Sequence, residues 1–191
     1  MAYTKVSIPK QLGGPGAPVP KDPNVIFIRL RDILKTGAEW TGFPTRDGVI
    51  STSDIQLKEG ETAMGVYMTP LSINRHDDSE GDPDMAGFNS IFEATHPGDE
   101  PAFAEWLQEN INEDLLILSM ECSDATGARL QGTPCNPMKM QVTGQDNNEG
   151  KNSALTFQTV MRAKWKMMHY RGAVPTLAPD ADAEGSAGGG V

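Results

Sequence analysis

FNSIFEAT at residues 88–95 and ALTFQTVMRAKW at residues 154–165 bound the stretch of sequence that decides the fold. The first run predicts a strand that stops at the turn HPG (96–98), because proline cannot donate a hydrogen bond to a strand ladder. The second run has the cleanest period-two alternation in the chain, and its shared face comprises Leu155, Phe157, Met161, Ala163 and Trp165. Unbroken, this strand would span about 40 Å at ~3.3 Å per residue, so it either bends or extends beyond its own domain.

A helix and several shorter strands are predicted between those two runs. In DEPAFAEWLQENI (99–111), Asp99 is a candidate N-cap and an early proline follows it. The apolar stripe of this helix, which is about three turns long, comprises Phe103, Trp106, Leu107 and Ile111. LLILSMEC (115–122) is typical of a strand buried on both faces at one end. After it we expect a hairpin loop at 124–127, a strand at 138–142 and a turn at 144–150.

Three further strands are predicted before residue 88, at residues 25–31, 54–57 and 63–68. The inward side chains of the first are predicted to be Ile26, Ile28 and Leu30. The predicted fold class is therefore mainly β: a β-sandwich or partly open barrel with one flanking α-helix, an extended N-terminal arm and long loops. The domain is expected to comprise residues 25–174. The Gly/Ala/Asp-rich tail at 175–191 has too few apolar residues to fold alone and is expected to be flexible.

The N-terminal arm, residues 1–24, is a candidate for contacts with other molecules. A short strand is predicted at residues 1–8, and residues 9–24 contain five prolines and three glycines. Such a chain is semi-rigid and extended, so it can reach a neighbouring molecule. Its candidate contact residues are Pro15, Pro18 and Pro20, although the same composition also fits a plain linker.

The loop at residues 36–53 is a second candidate. Glycines and a proline surround Trp40 and Phe43 in this segment. The composition predicts either a projecting loop whose aromatic rings dock on a partner or a flap that covers the core.

Charge is distributed unevenly along the chain, whose formal net charge is −10. A predicted acidic loop holds Asp77, Asp78, Glu80, Asp82 and Asp84. A solvated loop is the favoured interpretation, because the ligand order of a calcium-binding loop is not reproduced. The segment 161–172 has no acid and carries Arg162, Lys164, Lys166 and Arg171. Since opposite charges steer partners together, the acidic loop of one subunit is predicted to face the basic segment of another.

The sequence contains no recognised catalytic or metal-binding motif. The three histidines, His76, His96 and His169, have no nucleophile or second ligand at a motif spacing. Cys122 and Cys135 lack the spacing of a zinc site and are predicted to be packed thiols. The acidic chain disfavours a surface that grips nucleic acid, since that affinity comes from Lys and Arg. We therefore expect no catalytic residue, no metal and no cofactor, and a protein that is not an enzyme.

The order of elements over residues 88–157 resembles that of one known family. A strand, the HPG turn, an acidic-capped helix, an apolar strand and a hairpin are followed by the corner GTPCNP (132–137) and the turn DNNEGK (146–151). This order is similar to that of bacteriophage tail proteins, particularly the major tail tube protein of phages of Bacteroidetes-type hosts. The resemblance covers rather more than a third of the chain, and its motifs form turns rather than catalytic sites.

The resemblance implies a structural role in a virion. Tail tube proteins are β-sandwiches or incomplete barrels with a flanking helix, which stack as hexameric rings around a channel for DNA and share distant ancestry with the inner tube of contractile injection systems. The implied partners are copies of this chain, tail proteins such as the tape measure, terminator and baseplate or tip proteins, and DNA that passes non-specifically through the lumen. The implied location is the virion tail, after assembly in the host cytoplasm. No run approaches the ~20 apolar residues that cross a bilayer, so no membrane contact is expected.

Self-assembly also follows from the predicted strands themselves. A long strand with unpaired edges is an aggregation hazard in a monomer, whereas a closed ring covers such edges by symmetry. Two other functions stay open. One is a head decoration, head-completion or minor tail protein of a phage, and the other is a carbohydrate-binding β-sandwich that stacks sugars on Trp40, Phe43 and Tyr67.

Overall fold

The computed structural model describes residues 19–122, 124–148 and 150–180, and for residues 124–126 the backbone alone. Within them lie one α-helix, α1 (Pro101–Asn110), and two 3-10 helices, Leu30–Asp32 and Pro70–Ser72. The strands are β1 Asn24–Arg29, β2 Arg46–Asp47, β3 Ile50–Ser51, β4 Met64–Tyr67, β5 Asn74–Glu80, β6 Gly87–Pro97, β7 Leu115–Glu121, β8 Asp124–Gln131, β9 Met138–Asn147, β10 Gly150–Thr159 and β11 Met168–His169.

These strands form one large mixed sheet that stays open and does not close into a barrel. The strand order is β2-β3-β11-β8-β7-β9-β10-β6-β5, and β1 pairs with both β7 and β4. The pairs are antiparallel except for β3 with β11. β7 pairs with three strands: β1, β8 and, through Leu115 and Met138, β9. The predicted mainly β class with one flanking helix is confirmed.

β1 and β7 are buried on both faces, which their apolar runs predict. One face packs against β6, β9, β10 and α1, and Phe27 lies at its centre with ring centroids 5.1 Å from those of Trp106 and Phe157. The other face packs against β8, Tyr170 and residues of the 33–63 segment. The prediction that the inward side of β1 comprises Ile26, Ile28 and Leu30 is therefore incomplete, since Val25 and Phe27 are also fully buried.

α1 follows β6 after a tight turn and covers one edge of the first core face. Gly98 holds φ +92°, a conformation that favours glycine, where the chain leaves β6. The predicted apolar stripe is confirmed, since Phe103 is buried and Trp106, Leu107 and Ile111 pack against the core. The predicted cap is wrong: the N-cap is Glu100, and no side chain caps the helix. His96 also holds the helix, because its ring stacks on Phe103 with centroids 3.7 Å apart.

The turns of the two hairpins predicted after α1 are shorter than the sequence indicated. β8 begins at Asp124, so residues 124–127 belong to a strand and the predicted loop there is wrong. β9 continues to Asn147, and its ladder pairs Asn147 with Gly150, so most of the predicted turn at 144–150 is also strand. Polar and glycine-rich composition favours turns, but continued backbone pairing with the adjacent strand overrides that preference here.

The strand predicted at 154–165 ends at Thr159, and the remaining residues form a large irregularity. β10 pairs Gln158 with Ile91 of β6, and the next pairing joins Ala163 to Phe88, so four residues (159–162) on one side lie opposite two (89–90) on the other. Such an insertion bends a strand away from its ladder. The prediction that Met161 and Trp165 share one strand face with Leu155 and Phe157 is therefore wrong, since the first two are exposed and the last two are buried.

Several predictions for the rest of the chain need correction. Residues 54–57 do not form a strand. Ile55 packs in the same core cluster as Tyr170, and Leu57 makes one isolated bridge with Ile33. The two cysteines are not packed thiols, since both are exposed. Within the segment assigned to the C-terminal tail, the backbone of residues 176–178 pairs with Ala63, and residues 181–191 lie outside the described residues. The predicted strand at 1–8 lies outside the described residues.

Candidate assembly surface

Residues 160–167, here called the crossover segment, connect β10 to β11 and are held by three sets of polar contacts. The amide of Asn136 donates from Nδ2 to the Met161 carbonyl and accepts from the Met161 N–H at 3.1 Å. Backbone bonds of 2.7 and 2.9 Å join Phe88 and Ala163. The Met167 N–H donates to the carboxylate of Asp77 at 3.1 Å. These contacts fix the backbone while many of the side chains point into solvent.

Four large apolar side chains are exposed on the crossover segment and the turn that it contacts. The exposed fractions are 66% for Met85, 68% for Val160, 59% for Met161 and 49% for Trp165. These four residues are called the apolar patch below. Sequence periodicity missed the patch, because it placed Met161 and Trp165 on one strand face with Leu155 and Phe157 and gave no sign of the irregularity after Thr159.

Three of the predicted contact residues, Arg162, Lys164 and Lys166, lie on the same crossover segment. All three are exposed, and none forms an ion pair with another described residue. The ammonium of Lys164 lies 5.2 Å from the centroid of the Trp165 ring, and that of Lys166 lies 5.5 Å from the Phe88 ring. The basic charges of the segment are therefore available to a partner.

Arg46 of β2 contacts two residues of the crossover segment. Its guanidinium lies 5.4 Å from the Trp165 ring centroid and donates to the Lys166 carbonyl at 3.1 and 3.2 Å. Burial lowers the pKa of Arg46, and the negative charge of Asp77 opposes that shift. These contacts orient the ring of Trp165 and leave about half of it accessible.

The predicted acidic loop proves to be a strand followed by a turn. Asp77, Asp78 and Glu80 belong to β5, while Asp82 and Asp84 lie in the turn before β6. Asp77 is turned inward and accepts hydrogen bonds from Ser90 and from the crossover segment. The other four acids are exposed. The acidic and basic segments are thus neighbours within one chain, and a contact between them across two subunits stays a prediction.

The other predicted contact residues lie elsewhere. Trp40 and Phe43 pack against the second core face, so the 36–53 loop is the covering flap and its projecting alternative is wrong. The ammonium of Lys35 lies 4.5 Å from the centroid of the Trp40 ring, and a sugar-stacking role of Trp40, Phe43 and Tyr67 stays a prediction. Pro20 is exposed, and its carbonyl accepts from the Cys122 N–H at 3.1 Å. Pro15 and Pro18 lie outside the described residues.

The buried polar groups between β5 and β7 stabilise the fold. Arg75 donates to Glu121 at 2.7 Å and to the carbonyl and hydroxyl of Ser119 at 2.9 and 3.0 Å. Burial lowers the pKa of Arg75, and the charge of Arg129 lowers it further. No group of three or more His, Cys, Asp or Glu that could hold a metal ion occurs in the described part of the chain. The ion pair joins β5 to β7 and offers no nucleophile paired with a base.

Comparison with known proteins assigns no family to this chain. No family model, no curated protein and no solved structure matches the chain. Among the residues that the structure describes, no helix has the length and apolar character to cross a membrane.

Proposed function

We propose that this chain is the structural subunit of a bacteriophage tail tube, which assembles with copies of itself into stacked, hexameric rings around a channel for DNA. The observation that carries the proposal is the apolar patch, four large apolar side chains exposed on a chain with a net charge of −10. Exposed apolar clusters rimmed by polar groups mark protein–protein contacts in soluble proteins. The patch also contains Trp and Met and is bordered by Arg, residue types that are enriched at interfaces.

The open sheet gives a second reason for assembly. β5 and β2 end the strand order, and within the described chain β5 pairs with β6 alone. An unpaired strand edge is a template for another chain. Asp78 and Glu80 on β5 oppose pairing with a second β5, since like charges placed opposite each other destabilise a sheet. These two carboxylates therefore disfavour pairing between two β5 edges. Assembly would then use a specific contact other than this one.

The charge of the chain suits a passage for DNA. Six copies at −10 each would give a ring a charge of about −60. An acidic lumen repels phosphate, so DNA moves through it without adhering. The tape measure, terminator and baseplate or tip proteins would contact the ends or the interior of such a tube, and the protein would act in the virion tail without a membrane partner.

Negative-stain electron microscopy of the purified full chain at high concentration tests the proposal. We expect rings, and stacks of rings. Any part of the contact that Arg162, Lys164 and Lys166 make should weaken as salt is raised, because charged contacts are screened within about 10 Å at ~0.1 M salt. A chain that stays monomeric at every concentration would overturn the proposal. Discrete non-tubular particles would also overturn it and would favour a head decoration or head-completion protein instead.

A further inference from the structure

One edge of β9 has almost no strand beside it. β10 covers one side of β9 along its whole length, whereas on the other side β7 pairs with Met138 alone among the described residues. Next to that pair, the ammonium of Lys139 donates to the Asn112 carbonyl, so the covered part of the edge ends there. Residues 141–146 are exposed throughout and make no backbone bond on this side to another described residue. They form a strand edge that another chain can join.

The pairing of β6 shows which backbone groups point outward at this edge. Alternate residues of an antiparallel strand bond to opposite sides. The Thr95 carbonyl of β6 accepts from Thr69 on the β5 side at 2.8 Å, so odd-numbered residues of β6 bond toward β5 and even-numbered residues toward β10. Through the registers of the neighbouring strands, the residues with outward N–H and C=O groups are Val142, Gly144 and Asp146 on β9 and Arg75, Asp77 and Ser79 on β5.

β5 is the opposite edge of the same four strands. The order β9-β10-β6-β5 is antiparallel at every step, so β9 and β5 run in opposite directions. When copies follow each other around a ring, the β9 edge of one copy meets the β5 edge of the next in antiparallel orientation, which is the more stable mode of pairing. Two different edges also propagate from copy to copy, whereas two like edges close a two-fold pair.

One register pairs residues 141–146 of β9 with residues 75–80 of β5 in reverse order. Outward groups of one strand then meet outward groups of the other at every bonded pair. The acids of β5 lie opposite residues without negative charge, as Asp77 with Gly144, Asp78 with Thr143 and Glu80 with Gln141. Asp146, the one acid in this stretch of β9, lies opposite Arg75. No like charges meet, in contrast to a pair of two β5 edges.

The stagger of this register is also that of a closed sheet. Within one copy, Asn74 is level with Gln141 through the paired residues Glu93 and Thr156. In the register above, Gln141 of the next copy lies opposite Glu80, six residues further along β5. Six residues rise about 20 Å at ~3.3 Å each and four strands span about 19 Å at ~4.8 Å each, so the strands tilt by about 45° from the ring axis. Closed sheets have tilts of about 35–45°.

We infer that residues 141–146 of β9 pair antiparallel with residues 75–80 of β5 of the next copy, so that one sheet runs from copy to copy around the ring. This inference rests on the self-assembly proposed above and names the strands that carry it. The turn after β5 bears Met85 of the apolar patch, so the copy that pairs with β5 arrives beside the patch.

Disulfide trapping in the full chain tests the pairing and its register. Asp78 and Thr143 of adjacent copies would form a pair without backbone bonds, with Cα atoms about 4.5 Å apart, which a disulfide can bridge. Within one copy they lie three strand spacings apart, at least about 14 Å, which a disulfide cannot bridge. The exposed Cys122 and Cys135 are first replaced by Ser. The matched control, Asn74→Cys/Thr143→Cys, is four residues out of register.

We expect the Asp78→Cys/Thr143→Cys variant to form a ladder of covalent multimers on oxidation, resolved on a non-reducing denaturing gel. The yield of multimers should be at least about tenfold higher than in the control pair, because only the first pair satisfies disulfide geometry. Asp78→Cys and Thr143→Cys alone should each remain monomeric on the gel.

A proline at Gly144 tests how much the edge contributes to association. The Gly144 N–H points outward, so proline there removes a donor from the contact and no bond from the pairing with β10. Sedimentation velocity should show association at least about tenfold weaker than wild type, since the opposite carbonyl is left unpaired. Gly144→Ala is the control, because it keeps the N–H and no atom beyond the adjoining residues lies within 4 Å of the added methyl group. It should stay within about threefold of wild type.

Three results would overturn the inference. Trapping of Thr143→Cys with itself would assign the edge to a two-fold pair of β9 strands. Equal trapping in the control pair would show that no fixed register exists. Rings in which no pair is trapped and Gly144→Pro has no effect would place the contact elsewhere, while the tube itself would stand. Conversely, register-specific trapping without rings would support the strand pairing and overturn the tube.

Discussion

β7 and the crossover segment are two apolar-rich stretches of the same chain that meet opposite environments. The first four residues of β7 are fully buried, and strands or core residues cover both of its faces. The crossover segment exposes Val160, Met161 and Trp165 and fills no core. The difference lies in the backbone, since β7 has ladder partners on each side, whereas the crossover segment leaves its ladder after Thr159.

Apolar side chains therefore meet two different environments in the molecule. In β7 they stabilise the fold, because burying a large aliphatic side chain contributes about 1.5–3 kcal/mol. In the crossover segment they remain in water unless a partner covers them. We therefore expect substitutions in the two regions to separate stability from assembly.

Phe27→Ala should have the largest effect on stability. Phe27 is fully buried on β1 and contacts the rings of Phe92, Trp106 and Phe157. Removal of a buried phenyl ring costs about 3–5 kcal/mol in the free energy of unfolding. Denaturant unfolding monitored by circular dichroism measures the loss. Val160→Ala is the matched control and should stay within about 0.5 kcal/mol of wild type, because its side chain is exposed; similar losses in the two variants would contradict the comparison.

Asn136→Ala should release the crossover segment at a smaller cost. The substitution removes both side-chain hydrogen bonds to Met161 from a buried position, a loss of about 1–3 kcal/mol. Hydrogen exchange should become faster at residues 160–165 and stay unchanged in β7. Asn74→Ala, which removes an exposed bond to Glu93, is the control. Unchanged exchange at residues 160–165 would show that Asn136 does not hold the irregularity.

His169→Gln should have the smallest effect, confined to mildly acidic pH. Burial lowers the pKa of His169 below its ordinary value of 6.5, and the charges of Arg129, Arg171 and Arg75 lower it further, against Glu121. The unfolded chain therefore takes up a proton below about pH 6.5 that the folded chain resists, so the free energy of unfolding decreases as pH falls from 6.5 toward the lowered pKa. Unfolding curves at several pH values should show a shallower decrease in the variant, and an identical slope would refute the assignment.

The sequence predicted the fold well where one local signal decides the outcome. The run at 115–118 fixed a strand buried on both faces, and the stripe from Phe103 to Ile111 fixed α1. Strand ends were less predictable. Residues 124–127 and 144–147 have turn-like composition, yet they extend β8 and β9, because pairing with a neighbouring strand is a non-local interaction that composition does not encode.

The candidate surface could be predicted only in part. The charges of Arg162, Lys164 and Lys166 are visible in the sequence and prove to be exposed. The apolar patch was not visible, because its exposure depends on Asn136, which is 25 residues distant in sequence from Met161.

Sedimentation velocity over a concentration series, with wild type and Val160→Ser/Met161→Ser compared, tests the central claim that the apolar patch is a contact between copies. Leu71→Ser is the matched control, because Leu71 is the most exposed large apolar side chain in the described chain and lies on the 3-10 helix after β4. We predict that wild type and the Leu71 variant form the same large assemblies, whereas the patch variant sediments as a monomer with an unchanged free energy of unfolding. Equal assembly in all three proteins, or a monomeric wild type, would contradict the account.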